Sequence, residues 1–184
     1  MKPFRSIALP FFSLIILSSS CKKHIVKPAD QLSLLPPATQ TGANTFGCLI
    51  NGQAFVPQNQ SFLVGPRLQC NYIYTGGGYN FLVEGVNKGG DGIVSDVIVF
   101  TDSLAIHEGQ TIPLTNKANG NGIGEYYMVN PPYYTSKTLT GELTITHFDT
   151  VKQILSGNFY FNVLNTANDT IKITNGRFDM PYTR

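Results

Sequence analysis

The residues best suited to catalysis are His107 and His147, and only the second has suitable neighbours. Asp149 and Ser156 follow His147 in the sequence. A histidine, an acid and a serine are the residue types of an acyl-transfer triad. The chain lacks the Gly-x-Ser-x-Gly element that would expose such a serine, and no spacing fixes the three residues together. We therefore predict a protein that is not an enzyme. A hydrolase with a site centred on His147 is the second alternative.

Metal and cofactor sites are not indicated. The two histidines have no clustered acids around them, so they do not form a zinc pattern. The Gly-Gly-Asp-Gly run at 89–92 lacks the alternating oxygen ligands of a calcium loop. No helical pattern follows Gly120-x-Gly-x-Gly to bind a nucleotide phosphate. We predict no metal and no cofactor, and the sequence leaves open whether two carboxylates pair for glycoside cleavage.

A tyrosine-rich stretch is the candidate for ligand contact. Tyr126, Tyr127, Tyr133 and Tyr134 flank a Pro-Pro connection. Tyrosines on a loop offer rigid, amphipathic surface of the kind that binds glycans or peptides. The structural alternative is a tight connection with half of these rings in the core and half covering it.

The amino terminus predicts export. Lys2 and Arg5 precede an apolar run at 7–17, and three serines precede Cys21. The run is shorter than the roughly 20 apolar residues that span a bilayer. The Leu-Ser-Ser-Ser-Cys ending resembles the lipobox of bacterial lipoproteins, although Leu17 lies four residues before the cysteine instead of three. We predict a signal peptide over 1–20 and lipidation of Cys21 with diacylglycerol and palmitate. An ordinary signal peptide is the alternative.

The charge balance excludes one class of partner. The chain has 13 basic and 11 acidic residues, and removal of 1–20 takes away Lys2 and Arg5, so the exported part has 11 of each and no net charge. No basic field remains, and we predict no binding of nucleic acid.

Two further cysteines remain once Cys21 carries lipid. Cys48 and Cys70 both fall on the apolar side of an alternating pattern. An even pair in an oxidising compartment favours a disulfide, and two buried free thiols are the alternative.

The elements that position these residues are strands. Residues 21–44 contain three prolines and no periodicity, which predicts a flexible tether. Residues 45–184 alternate apolar and polar side chains between Gly- and Asn-rich turns, without the apolar period of a helix. We predict one all-β domain, an antiparallel sandwich or partly closed barrel of about nine or ten short strands.

Two Asn-Gly pairs predict tight hairpins. A turn at Asn51-Gly52 places Cys48 opposite Phe55. A turn at Asn175-Gly176 pairs Ile173 with Phe178 and Lys172 with Asp179 on the opposite face.

The segments FGCLINGQAFVP, LTGELTITHFDTVKQILSGNFYFNV and DTIKITNGRFDM resemble a group of small, uncharacterised Bacteroidetes lipoproteins. The resemblance spans most of 45–180 and implies an envelope lipoprotein with a β domain, without a known activity. It also suggests that phylum's O-glycosylation pattern, which Asp102-Ser103-Leu104, Asp149-Thr150-Val151 and Asp169-Thr170-Ile171 fit. Ser103, Thr150 and Thr170 are therefore candidate glycan carriers, or simply turn residues.

Together these features predict a non-enzymatic lipoprotein of the cell envelope. It is held at the outer membrane through Cys21 and binds a glycan or peptide, or another envelope protein during assembly. A purely structural lipoprotein is the alternative. Lys22 and Lys23 follow the anchor without an acidic cluster, which favours the periplasmic face over the cell surface.

Overall fold

The computed structural model describes residues 30–57, 66–88, 92–128 and 131–184. The predicted signal peptide and Cys21 lie outside the described residues. Within the described ranges, eleven strands and one short 3-10 helix at Gln31–Leu34 make up the regular structure. The strands are β1 (Thr45–Ile50), β2 (Gln53–Phe55), β3 (Leu68–Thr75), β4 (Gly78–Lys88), β5 (Val94–Thr101), β6 (Thr111–Leu114), β7 (Gly122–Tyr127), β8 (Tyr133–Tyr134), β9 (Gly141–Asp149), β10 (Ile154–Leu164) and β11 (Thr170–Pro181).

The strands form one sheet in the order β2-β1-β11-β10-β9-β6-β7-β5-β4-β3, and β8 pairs with β7. Among the described strands, every pairing is antiparallel except that of β6 with β7, and an isolated parallel bridge joins Asn71 to Thr183, so the sheet is mixed. The amide of Tyr72 in β3 donates to the Thr183 carbonyl at 2.8 Å, just after β11. The sheet therefore curls so that β3, at one end of the strand order, meets the chain that follows β11. This architecture confirms the all-β prediction.

Strand alternation divides the sheet into an inner and an outer face. In β10, Phe161 and Val163 are fully buried, whereas Asn158 and Tyr160 are exposed. The inner side chains join those of the other strands in one continuous apolar core. Burial of a side chain such as Phe161 contributes about 2–3 kcal/mol, so the core fixes which residues of β9, β10 and β11 face outward.

The Asn51-Gly52 hairpin is confirmed. Asn51 and Gly52 have φ angles of 49° and 81°, as the twist of a two-residue hairpin requires. Ile50 pairs with Gln53, and Cys48 pairs with Phe55.

The hairpin predicted at Asn175-Gly176 is wrong, because β11 continues through both residues. The register shifts there against both neighbouring strands, so the pair forms a β-bulge, with Asn175 at a φ of 53°. A Cβ on Gly176 would collide with the Phe159 ring, so glycine here permits a close approach between strands. Lys172 consequently pairs with Asn162 instead of Asp179.

Residues 30–44, predicted as part of the flexible tether, are packed on the outer face of the sheet. Asp30 caps the 3-10 helix, and Leu35 is buried. A Cβ on Gly47 in β1 would lie 2.7 Å from Pro36, so the bare glycine lets the segment lie flat. Four residues of 39–43 donate hydrogen bonds to the buried carboxylate of Asp179. A local Pro-rich composition could not reveal this distant partner.

Candidate functional site

A groove lies on the outer face of β9, β10 and β11, beneath the segment 30–38. Its volume is about 670 Å³, within the roughly 300–1,000 Å³ typical of small-ligand sites. The segment forms one wall and the sheet forms the floor. The lining side chains that face the groove are Asp30, Leu32, Ser33 and Ala38 from the segment, and Glu142, Thr144, Asn158, Tyr160, Asn175 and Arg177 from the sheet.

The floor is ordered by strand register. Thr144, Asn158 and Arg177 form one row across β9, β10 and β11. Glu142 and Tyr160 face each other in the next row. A hydrogen bond with the Glu142 carboxylate raises the pKa of the Tyr160 phenol. The pleat thus places an aromatic ring, a carboxylate, an amide and a guanidinium side by side.

The wall of the groove is held by polar contacts at both ends. At one end, the Gln31 side chain accepts a hydrogen bond from the Ala54 amide in β2 at 2.9 Å. At the other, Gln40 donates to the Thr146 carbonyl in β9 at 2.9 Å. A second cavity of about 270 Å³ adjoins the first and shares Ala38 and Asn158 with it. The two cavities therefore form one groove along the sheet, which suits an elongated ligand.

Arg177 is the least satisfied side chain of the groove. Its Nε is buried and has no hydrogen-bond partner. In the part of the chain that the structure describes, the ion pairs are His147 with Glu108 and Lys152 with Asp149, so Arg177 takes part in neither. A buried donor without a partner is rare in folded proteins and points to a missing ligand or water.

The four tyrosines predicted as ligand contacts do not form an open surface. Tyr126 and Tyr133 are buried in the core, and their rings pack 6.5 Å apart. Tyr127 is half-buried, and Tyr134 lies under Lys117, whose ammonium is 5.0 Å from the ring centre. These tyrosines belong to the paired strands β7 and β8. Their placement agrees with the structural alternative, in which half of the rings lie in the core and half cover it.

The histidines do not assemble a triad. The His147 Nδ1 lies 3.1 Å from the carboxylate of Glu108, and among the described residues no hydrogen bond joins it to Asp149. Asp149 instead accepts hydrogen bonds from the Val151 and Lys152 amides in a turn. Ser156 pairs with His147 across the strands, but its hydroxyl is fully buried and donates to Asp179 at 2.8 Å. A hydroxyl held in this way is not presented to a substrate.

Three carboxylates lie together elsewhere on the outer face, in β4, β5 and β7. Burial raises the pKa of Glu84 to about 7, and the Asp96 and Glu125 carboxylates add to the effect. Burial also raises the pKa of Asp96 to about 6, and its Oδ1 is buried without a partner. Perturbed pKa values often mark functional sites. This group lines neither cavity of the groove, so we treat it as a determinant of stability.

Cys48 and Cys70 are free thiols buried in the core, so the predicted disulfide is not formed. Their strands, β1 and β3, are not neighbours in the sheet, and an inward direction alone does not bring two sulfurs together. Burial raises the pKa of both thiols far above its usual range. Inert packing is the physical role of such residues.

Two candidate glycan carriers, Ser103 and Thr150, lie at a bend and a turn, and the third, Thr170, begins β11. Thr150 and Thr170 are exposed, whereas Ser103 is half-buried at a φ of 52°. The Ser103 hydroxyl donates to the Asp102 carboxylate at 3.3 Å. Glycosylation at these three residues stays a prediction.

No protein-family model, curated protein or solved structure matches this chain. Within the described ranges, no helix has the length and apolar character of a membrane span. Among those same residues, no three His, Cys, Asp or Glu side chains are grouped to hold a metal ion.

Proposed function

We propose that the protein is a non-enzymatic, lipid-anchored module of the cell envelope that binds a glycan in the groove beneath 30–38. The groove itself carries this proposal. Tyr160 is 45% exposed on its floor, beside Glu142 and Asn158. Half-exposed aromatic rings stack on the apolar faces of sugars, and planar polar side chains hydrogen-bond to their hydroxyls.

The anchor and the groove serve this role together. Acyl chains on Cys21 would hold the chain stably at the outer membrane, since two or more chains suffice for that. The attachment of 30–44 to the sheet leaves residues 22–29 as the connection between anchor and groove. The ligand would therefore be held close to the membrane surface, on the periplasmic face as the sequence favours.

A glycan array probed with the purified full chain tests the proposal. We expect retention of at least one oligosaccharide, and Tyr160→Ala should weaken its binding about tenfold or more, since a lost stacking contact of this kind costs roughly 1.5 kcal/mol. Tyr74→Ala is the matched control, because Tyr74 is 64% exposed on the β3–β4 hairpin, away from the groove.

Other outcomes decide against the proposal. Glycan binding that survives Tyr160→Ala would place the site elsewhere. An array without any signal, with one envelope protein enriched in a crosslinking experiment, would favour the assembly role. An array without signal and no enriched protein would favour a purely structural lipoprotein.

A further inference from the structure

We infer that the glycan bound in the groove is acidic, and that Arg177 binds its anionic group. This inference rests on the proposed function, because it names the class of saccharide that the same groove takes. A neutral sugar needs only the aromatic ring and the amide and carboxylate side chains. The guanidinium is the feature that a neutral ligand would leave unused.

Arg177 lies half-buried in the sheet floor. It pairs with Asn158 of β10 on one side and with Gly47 of β1 on the other. A Cβ on Gly47 would lie 2.7 Å from Pro36, so the covering segment lies over the position in β1 next to Arg177. The Arg177 Nε is buried and has no hydrogen-bond partner among the described residues. A guanidinium placed in this way has lost water on one side and has gained no protein acceptor.

The acidic side chains that share the groove are already engaged. Asp30 accepts a hydrogen bond from the Leu32 amide at 3.2 Å, as the cap of the 3-10 helix. Glu142 pairs with Tyr160 across the strands, and their interaction raises the pKa of the phenol. Neither carboxylate is within ion-pair distance of Arg177, as the two ion pairs of the described chain involve other residues. We therefore assign the missing acceptor of Arg177 to the ligand of the groove.

The planar fork of an arginine matches two oxygens of a carboxylate, as in a uronic acid, or of a sulfate or phosphate ester. Asn158 stands next to it in the same row and adds an amide donor. Tyr160 lies two residues after Asn158 on the same outer face of β10. It is in position to stack on the sugar ring that bears the anion or on the next ring. The three side chains thus recognise one charged ring and its neighbour.

Paired ligands test the inference on the unaltered full chain. Each acidic oligosaccharide of a panel is compared with a neutral partner, for example an oligogalacturonate with its carboxyl-reduced form. Sulfated and phosphorylated derivatives of the same neutral form complete each set. We expect at least one acidic member to bind about tenfold tighter than its neutral partner, the size of one charge-assisted contact. The difference should shrink as salt concentration rises.

Variants assign the effect to Arg177. Arg177→Gln should abolish the preference for the acidic partner, while Arg177→Lys should keep part of it, because lysine retains the charge but not the fork. Arg184→Gln removes an exposed charge at the chain end and should change nothing. Unfolding midpoints of the variants confirm that each one folds.

The outcomes separate the inference from the proposed function. Equal binding of acidic and neutral partners overturns the inference and leaves a glycan-binding groove. If Arg177→Gln weakens the binding of acidic and neutral partners to the same extent, the inference is also overturned, since the arginine would then only support the groove. No binding to any member of the panel overturns the inference, and the proposed function fails as well only if the glycan array is also without signal. Preference for sulfate or phosphate over carboxylate supports the inference and identifies the anion.

Discussion

The amide of Gly42 donates a hydrogen bond of 2.7 Å to the carboxylate of Asp179, joining the segment before β1 to the last strand. Thr39, Thr41 and Ala43 donate to the other oxygen of the same carboxylate. Burial opposes ionisation of Asp179, but these hydrogen bonds outweigh it and lower its pKa well below the usual range. One side chain thus anchors residues 39–43, which directly follow the wall of the groove.

We expect Asp179→Asn to destabilise the protein by about 2–4 kcal/mol, because an amide presents a donor where backbone amides need an acceptor. Chemical denaturation at pH 7 measures the loss. Asp169→Asn, at an exposed carboxylate, is the control and should change stability by less than about 0.5 kcal/mol. Equal effects of the two substitutions would show that Asp179 does not hold the segment.

The same carboxylate predicts that the protein loses stability at acid pH. The pKa of Asp179 is lower in the folded than in the unfolded chain, so its contribution is present above about pH 4 and is lost as pH falls below that value. Between pH 5 and pH 2, the parent should lose more stability than Asp179→Asn does. Parallel losses in the two proteins would contradict the assignment.

The contrast between the two Asn-Gly pairs shows what sequence could predict. At Asn51-Gly52 the two flanking strands, β1 and β2, pair with each other across the turn, so local turn chemistry decides the structure. At Asn175-Gly176 the chain on both sides pairs with β1 and β10 instead, and the same dipeptide becomes a bulge. Alternation predicted the strands well because it depends on neighbours in sequence. It could not predict which distant strands pair.

The groove escaped prediction for the same reason. Glu142, Asn158, Tyr160 and Arg177 occupy the polar positions of three alternating strands, which is also the pattern of an ordinary solvated face. Only the sheet order brings them into adjacent rows. Contacts between residues far apart in sequence, such as the hydrogen bond from Gly42 to Asp179, bring the segment over them. The tyrosine stretch drew attention through composition, but its inward positions in β7 and β8 placed half of it in the core.

Gly176 offers a test of the bulge. Gly176→Ala should destabilise the protein by about 1–3 kcal/mol, because the added methyl group collides with the Phe159 ring. Phe159→Leu should relieve the collision, so the double variant should lose less than the two single losses added together. Denaturation of all four proteins completes this cycle. Additive losses would show that the ring does not restrict this position.

Thiol labelling distinguishes the free cysteines from the disulfide that the sequence favoured. In the native chain, Cys48 and Cys70 should resist iodoacetamide at pH 8, because burial blocks access and raises the pKa of both thiols. After denaturation without reductant, both should label completely, as peptide mass spectrometry would show. Labelling that requires prior reduction would establish a bridge and contradict the structure.

Glu84 should make the protein less stable at neutral pH than at acid pH. Its pKa is raised to about 7 in the folded chain, mainly by burial and then by Asp96 and Glu125. The folded state therefore binds more protons than the unfolded state between about pH 4 and pH 7, and stability falls across that interval as pH rises.

Glu84→Gln removes this cost, and we expect it to raise the free energy of unfolding at pH 8 by about 1 kcal/mol, after discounting for the solvent screening of a half-buried group. At pH 4 the variant and the parent should be equally stable, since both side chains are then neutral. Denaturation curves at the two pH values measure the difference, with Asp169→Asn as the exposed control. A gain that persists unchanged at pH 4 would reflect packing of the amide, because the carboxylate charge is absent there.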